Sequence, residues 1–185
     1  MGNLVDYSGK FIPELKVTDF TSDTVGKLLK LYARLYLAMD ESWFSAVEQL
    51  LGNEVALACD IEAWERLIPY QIAAIKRKLK IKGNDVAALA KATQVFPWFQ
   101  LIGSRIELQN EKLATLTVTY CPILNAFERK GNGREKQICH IVEPRIFKGF
   151  ASAINPDIEV QCIKIPPRKS KEEICCKWEF WLRDK

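Results

Sequence analysis

The hydrophobic period of this chain changes once, close to Pro97, and that change fixes the class of fold it can adopt. Upstream, apolar residues recur at helical spacing. Val25, Leu28, Leu29, Tyr32, Leu35 and Tyr36 form one stripe, with Thr21 or Ser22 as its cap and Asp23 in the first turn. The stripe continues or breaks near Asp40-Glu41-Ser42, resumes through Trp43, Phe44, Val47, Leu50 and Leu51, and stops at Gly52. A second long helix is expected from Glu54 to Lys80, kinked at Pro69 and ended by Gly83, and a third from Asn84 to Val95. Downstream, Arg105–Leu108 and Leu116–Tyr120 alternate as strands about a hairpin connection at Gln109–Lys112. A helix follows Cys139, with Pro144 in its first turn and Ile146, Phe147, Phe150 and Ile154 on one face. Ile158–Cys162 and Cys175–Leu182 alternate again. The expected fold is α+β: an N-terminal helical layer, then a four-stranded antiparallel sheet with one packed helix. Its two parts are 1–97 and the cysteine-containing 98–185, forming one compact unit.

A chain of 185 residues with 48% apolar content supports a sizeable core. Its net charge of +4 is spread among acids, so no nucleic-acid footprint is expected. The basic runs Arg129-Lys130 to Arg134 and Arg168-Lys169 to Lys171 flank turns and read as solvated loops. No secretory signal and no apolar run of membrane-spanning length is visible, which points to the cytoplasm. In that compartment the six cysteines are free thiols, metal ligands or catalytic groups rather than disulfides.

Four of them stand at joints between elements: Cys121, Cys139, Cys162 and Cys176. Cys121 precedes Pro122 at a strand end, and Cys139 is expected to open a helix. Cys162 and Cys176 lie on the apolar faces of two strands that face the same helix. Soft thiolates so placed suit zinc or an iron–sulfur cluster. The 17, 22 and 13 residues between them lack the CxxC spacing of a zinc ribbon, and each cysteine alone also reads as a small buried hydrophobe. Cys59 and Cys175 are read as bystanders. Cys139, at a helix start beside the lone histidine His140, is expected to be the most reactive thiol.

A ligand pocket is expected between the N-terminal helices and the sheet, lined by Trp43, Phe44, Trp64 and Tyr120. Asp40, Glu41 and Glu48 cluster near Trp43-Phe44, and Asp60 lies near Trp64; such acids could line a pocket, but they read first as helix-surface acids beside core aromatics. Gly131-Asn132-Gly133 lacks the spacing of a phosphate loop, and no Ser/His/Asp set is supported.

Cys121-Pro122, Cys139, Cys162 with Pro166-Pro167, and Cys176-Lys177-Trp178-Glu179-Phe180 together resemble a family grouped with the L-2-amino-thiazoline-4-carboxylic acid hydrolases. Asp40–Phe44, and Asp60 with Trp64, look like its N-terminal half. The stretch from Cys139 to Phe180 is also similar to the 4-vinyl-reductase type of small-molecule-binding domain. These resemblances imply a ligand pocket beside a cysteine cluster. Two functions are expected from them. One is an enzyme, hydrolase-like, acting on a sulfur-containing or heterocyclic acid through a cysteine-bound zinc or iron–sulfur centre. The other is a non-catalytic sensor with a structural metal. The expected partners are a small-molecule ligand and a second copy in a homodimer, with neither nucleic acid nor membrane.

Overall fold

The computed structural model describes residues 2–131 and 133–183. Helix α1, Ser22–Leu51, starts where the Thr21 hydroxyl accepts the Thr24 N–H at 3.3 Å. It runs unbroken through Asp40-Glu41-Ser42, since none of these residues removes a backbone donor. A single residue, Gly52 at φ 90°, turns the chain into α2, Asn53–Leu79. Pro69 lies inside α2 without ending it. The stop comes at Lys80, in the left-handed region with its N–H on the Lys76 carbonyl, rather than at Gly83. Helix α3, Val86–Gln94, is capped by the Asp85 carboxylate, which accepts the Ala88 N–H at 2.7 Å. No helix among the described residues is long and apolar enough to cross a membrane.

The second half contains β1 (Gly103–Asn110), β2 (Leu113–Tyr120), α4 (Pro122–Lys130), α5 (Arg134–Gln137), a π turn (Ile138–Val142), α6 (Glu143–Ile154), β3 (Ile158–Lys164) and β4 (Cys176–Leu182). The four strands form one antiparallel sheet in the order β1-β2-β4-β3, so the fold is α+β as its periodicity demands. Helix α4 is additional to the sequence-based expectation. Pro122 ends a strand and, at the first helical position, also begins a helix.

Register explains the core. Leu116 pairs with Trp178 and Val118 with Cys176, while Cys162 pairs with Trp178 from the other side. Directly paired residues share a face, so Leu116, Val118, Cys162, Cys176 and Trp178 point the same way. The reverse face carries Arg105, Glu107, Thr117, Gln161, Lys177 and Glu179, a one-sided sheet. Helices α6 and α3 cover the apolar face. Phe147 of α6 lies 4.6 Å from Trp178, centroid to centroid, and Phe150 lies 4.6 Å from Phe96. Helix α2 packs on α6 where Gly149 leaves room: a Cβ there would meet the Ile68 side chain at 3.1 Å. Helix α1 lies outermost, against α2 and the 97–100 turn. One core cluster therefore runs from Trp64, Ile68 and Ile72 through Phe147 to Leu116 and Trp178.

Candidate functional site

The site is built on a disturbance in a helix. Residues 134–154 wind continuously, but Ile138–Val142 form a π turn. A π turn admits an extra residue and recurs where a helix serves a function. Cys139 sits in this turn. It does not open a helix, because the winding begins five residues earlier at Arg134, and the N–H groups near Cys139 are internal to it. The helix-opening role belongs to Cys121, which is the N-cap of α4 and takes the Leu124 N–H on its sulfur at 3.4 Å. One turn beyond Cys139, Glu143 begins α6. Cys176 begins β4 on the face beneath that helix.

These groups sense one another's charge. Burial pushes the Cys121 thiol up to about 12, and raises Cys139 and Cys176 well above the ordinary thiol range. Negative charge on Glu143 adds to the rise at Cys121, Cys139, Cys162 and Cys176 alike. Cys121 and Cys176 add further to the rise at Cys139, and Cys121 to that at Cys176. Burial alone raises the Glu143 carboxyl to about 7. Cys121, Cys139, Cys176 and Glu143 thus form one half-buried set in which ionisation of any member opposes that of the others, and Cys162 joins it through Glu143. Cys139 is accordingly not the activated thiol that a helix start would have made it: burial and anionic neighbours oppose its ionisation.

Among the described residues, no three His, Cys, Asp or Glu side chains stand together as a group that could hold a metal ion. Two of the four thiols are engaged locally. Cys121 caps α4, and Cys162 donates to the Lys164 carbonyl at 3.4 Å across an irregularity in β3. The donor chemistry nevertheless suits a soft divalent ion, because sulfur and carboxylate oxygen are both zinc ligands. A cation among such groups favours their ionised forms.

His140 points its ring at the Pro166 carbonyl, 2.6 Å away, and donates there as the N–H tautomer, tying the π turn to the segment with the cis Pro166–Pro167 bond. Arg168 is not solvated as its basic run suggested. Its side chain is only 4% exposed, gripped by Glu128 at 2.9 and 2.5 Å and by Asn125 at 2.9 Å, and it reaches the Cys175 sulfur at 3.5 Å. Cys175, read as a bystander, is fully buried beside it, and its charge is felt at Cys121 and Cys176. Arg168→Lys loses the planar fork, and should lower the unfolding free energy by about 2 kcal/mol, read from urea midpoints at unchanged m. Cys59 lies half-buried on α2, outside this set.

The four residues expected to line a pocket stand in different surroundings. Phe44 is buried beneath the Arg134 guanidinium, 4.2 Å above its ring. Trp64 is buried edge-on to Tyr36 at 6.2 Å. Trp43 and Tyr120 are exposed. Trp64 borders a recess against Val142 and Ile146 that is too narrow for a water molecule. A cavity of about 250 Å³ lies instead between α6 and β3, walled by Lys148, Ser152, Ile158, Val160, Cys162 and Trp178. The buried Trp178 indole N–H makes no hydrogen bond. Trp178, Glu143 and Arg168 are the site residues that sequence reasoning missed. For Glu143 a signal existed: in a helix it stands four residues beyond Cys139, on the same face.

The acids around α1 and α2 divide. Glu41 pairs with Lys130 and Glu48 with Arg134, each at 3.1 Å. Asp60 is 4% exposed, and burial followed by the charge of Asp40 raises its carboxyl to about 7.

The model of a family described as "Family of unknown function (DUF6125)" matches residues 18–182. No curated protein and no solved structure matches the chain.

Proposed function

The chain belongs to DUF6125, and from its own residues we propose that it is a small-molecule enzyme, hydrolase-like, whose centre is a zinc ion or iron–sulfur cluster held at Cys121, Cys139 and Cys176. Cys162 or Glu143 completes the donor set. The observation that carries this reading is the half-buried group of three thiols and a carboxyl around a π turn, each of which feels the charge of another. Such a group is costly to ionise without a cation to offset it. A bound metal would supply Lewis-acid or redox chemistry there. The chain's own part is to limit the access of water, to fix Cys139 through the winding of residues 134–154, and to place Cys176 at the start of β4. The resemblance of the Cys-Pro, Cys139 and Cys-Lys-Trp-Glu-Phe segments to the thiazoline-carboxylate hydrolase group favours a small heterocyclic or sulfur-containing acid as substrate. The reducing cytoplasm, where thiols stay free, is the compartment we assign.

One observation favours a second reading, a ligand sensor with a structural metal. The cavity beside Cys162 and Trp178 is of a size for a small ligand, and four donors make a closed shell. Coordination separates the two readings: an open position belongs to the enzyme, a closed shell to the sensor.

Elemental analysis and an absorption spectrum of anaerobically purified protein test the common premise. The expected result is a stoichiometric metal, brown for iron–sulfur and colourless for zinc. Cys139→Ser and Glu143→Gln should each lower the metal content and the melting temperature, because metal binding is part of folding free energy. Protein that folds and melts identically with and without chelator, and carries no metal, would overturn the proposal.

A further inference from the structure

The cavity between α6 and β3 has a polar mouth and an apolar floor. Pro144, Lys148 and Ser152 stand at steps of four on α6, so one strip of that helix walls it over about 12 Å. The opposite wall is β3, whose Ile158, Val160 and Cys162 turn the covered face toward it, with Trp178 beside them. Ile158 is 3% and Trp178 1% exposed, whereas Lys148 and Ser152 are open to solvent. Strand β3 is the edge of the sheet, so no further strand closes this side. Two charged side chains border the cavity. Glu159 is taken by Arg183. Lys148 makes no ion pair among the described residues. Glu143 adjoins Pro144, but burial raises its carboxyl to about 7, so it carries only part of a charge at neutral pH. The mouth therefore keeps a positive charge that the protein does not balance.

We propose that this cavity binds a small organic acid, with its carboxylate held at the mouth by Lys148 and Ser152 and its apolar body against Val160, Cys162 and Trp178. Only a ligand with both parts uses both features. An apolar molecule gains nothing from the Lys148 charge, and a compact inorganic anion leaves the apolar floor uncovered. Size sets the limit. A cavity of ~150 Å³ takes a benzene ring, so about 250 Å³ takes a ring or short chain together with a carboxylate, and is too small for a nucleotide. Chain direction adds an orientation. Only residues 155–157 separate α6 from β3, so the chain reverses, and Pro144 lies toward Cys162 while Ser152 lies toward Ile158. A carboxylate at Lys148 and Ser152 thus leaves the other end of the ligand toward Cys162, the thiol that Glu143 links to the rest of the set. The proposal rests on this cavity being the ligand site, as in the sensor reading above, and it needs no metal.

Calorimetric titration of the full chain with trans-cinnamate and with hexanoate, each beside its neutral amide, tests it. The expected result is that an acid binds roughly tenfold or more tightly than its amide. Lys148→Met keeps the stem of an exposed side chain and removes its charge. It should weaken the acid by a similar factor and leave the amide unchanged. Val160→Phe fills the cavity, and should abolish binding of both while the parent far-UV circular dichroism is kept. Amides that bind as tightly as acids, or acids indifferent to Lys148→Met, overturn the proposal and leave the cavity as a ligand site. If no acid and no amide binds, or if binding survives Val160→Phe, the cavity reading falls with it. Metal content, measured on the same protein, judges the thiol centre separately.

Discussion

Phe147→Ala should lower the unfolding free energy by about 3–5 kcal/mol, the cost of a buried aromatic deleted into a cavity. Phe147 is 1% exposed and its ring contacts four others: Trp98, Phe150, Trp178 and Phe180. It joins α6 to the sheet and to the turn after α3, so no neighbour can collapse into the space without leaving a second gap. Urea denaturation followed by tryptophan fluorescence reads both stability and packing, because Trp98 and Trp178 line the hole. Phe11→Ala, at a residue 81% exposed, should change stability by less than about 0.5 kcal/mol. Equal effects at the two positions would mean that the aromatic cluster is not the centre of the core.

The second large effect is on pH dependence. Asp60 has its carboxyl raised by burial, and then by Asp40, from 3.8 to about 7. A carboxyl in this condition holds its proton more tightly folded than unfolded. Its contribution is fully present below about pH 4 and is lost as pH rises toward 7. At ~1.4 kcal/mol per tenfold change in proton affinity, softened by relaxation around the buried charge, the loss is about 2 kcal/mol. Asp60→Asn keeps the shape and removes the titration. It should therefore stabilise the protein at pH 8 by about 2 kcal/mol, make little difference at pH 4, and flatten the slope between. A variant less stable than the parent at pH 8 would show instead that the ionised carboxylate, beside Arg134, is the form the fold wants. Glu143, at about 7 from burial alone, adds a parallel slope in metal-free protein. Comparing parent with variant cancels that slope.

Much of the fold could be read in the residues because period and register agree. The alternation of Leu116–Tyr120 and of Cys176–Leu182 puts Val118 and Cys176 on the covered face, where the ladder indeed pairs them. Helix boundaries were harder. Asp40-Glu41-Ser42 are turn-forming in isolation, yet α1 passes through them because Phe44 must reach the core. Pro122 stops a strand in one reading and opens a helix in another, and only the cap formed by Cys121 decides. Of the site, the four thiols were visible by their positions at joints. Glu143 was hidden because a glutamate in a helical stretch reads as surface, and only its spacing of four from Cys139 hinted otherwise. Arg168 was hidden for the same reason: its partners Glu128 and Asn125 lie on the unanticipated α4.

The strand order carries a consequence for the nascent chain. A ribosome that has delivered residues up to 164 has made β1, β2 and β3, yet β2 and β3 do not pair with each other, because β4 lies between them. The β1–β2 hairpin and the α6–β3 unit must wait as separate pieces, each with an open edge. Residues 176–182 then join both at once, so sheet closure is a single late event and not a gradual growth. Cys176 and Trp178 arrive on that strand. The thiol site is therefore complete only when the sheet is, and a chain stalled before residue 176 displays Cys121, Cys139 and Cys162 to whatever metal or oxidant surrounds it.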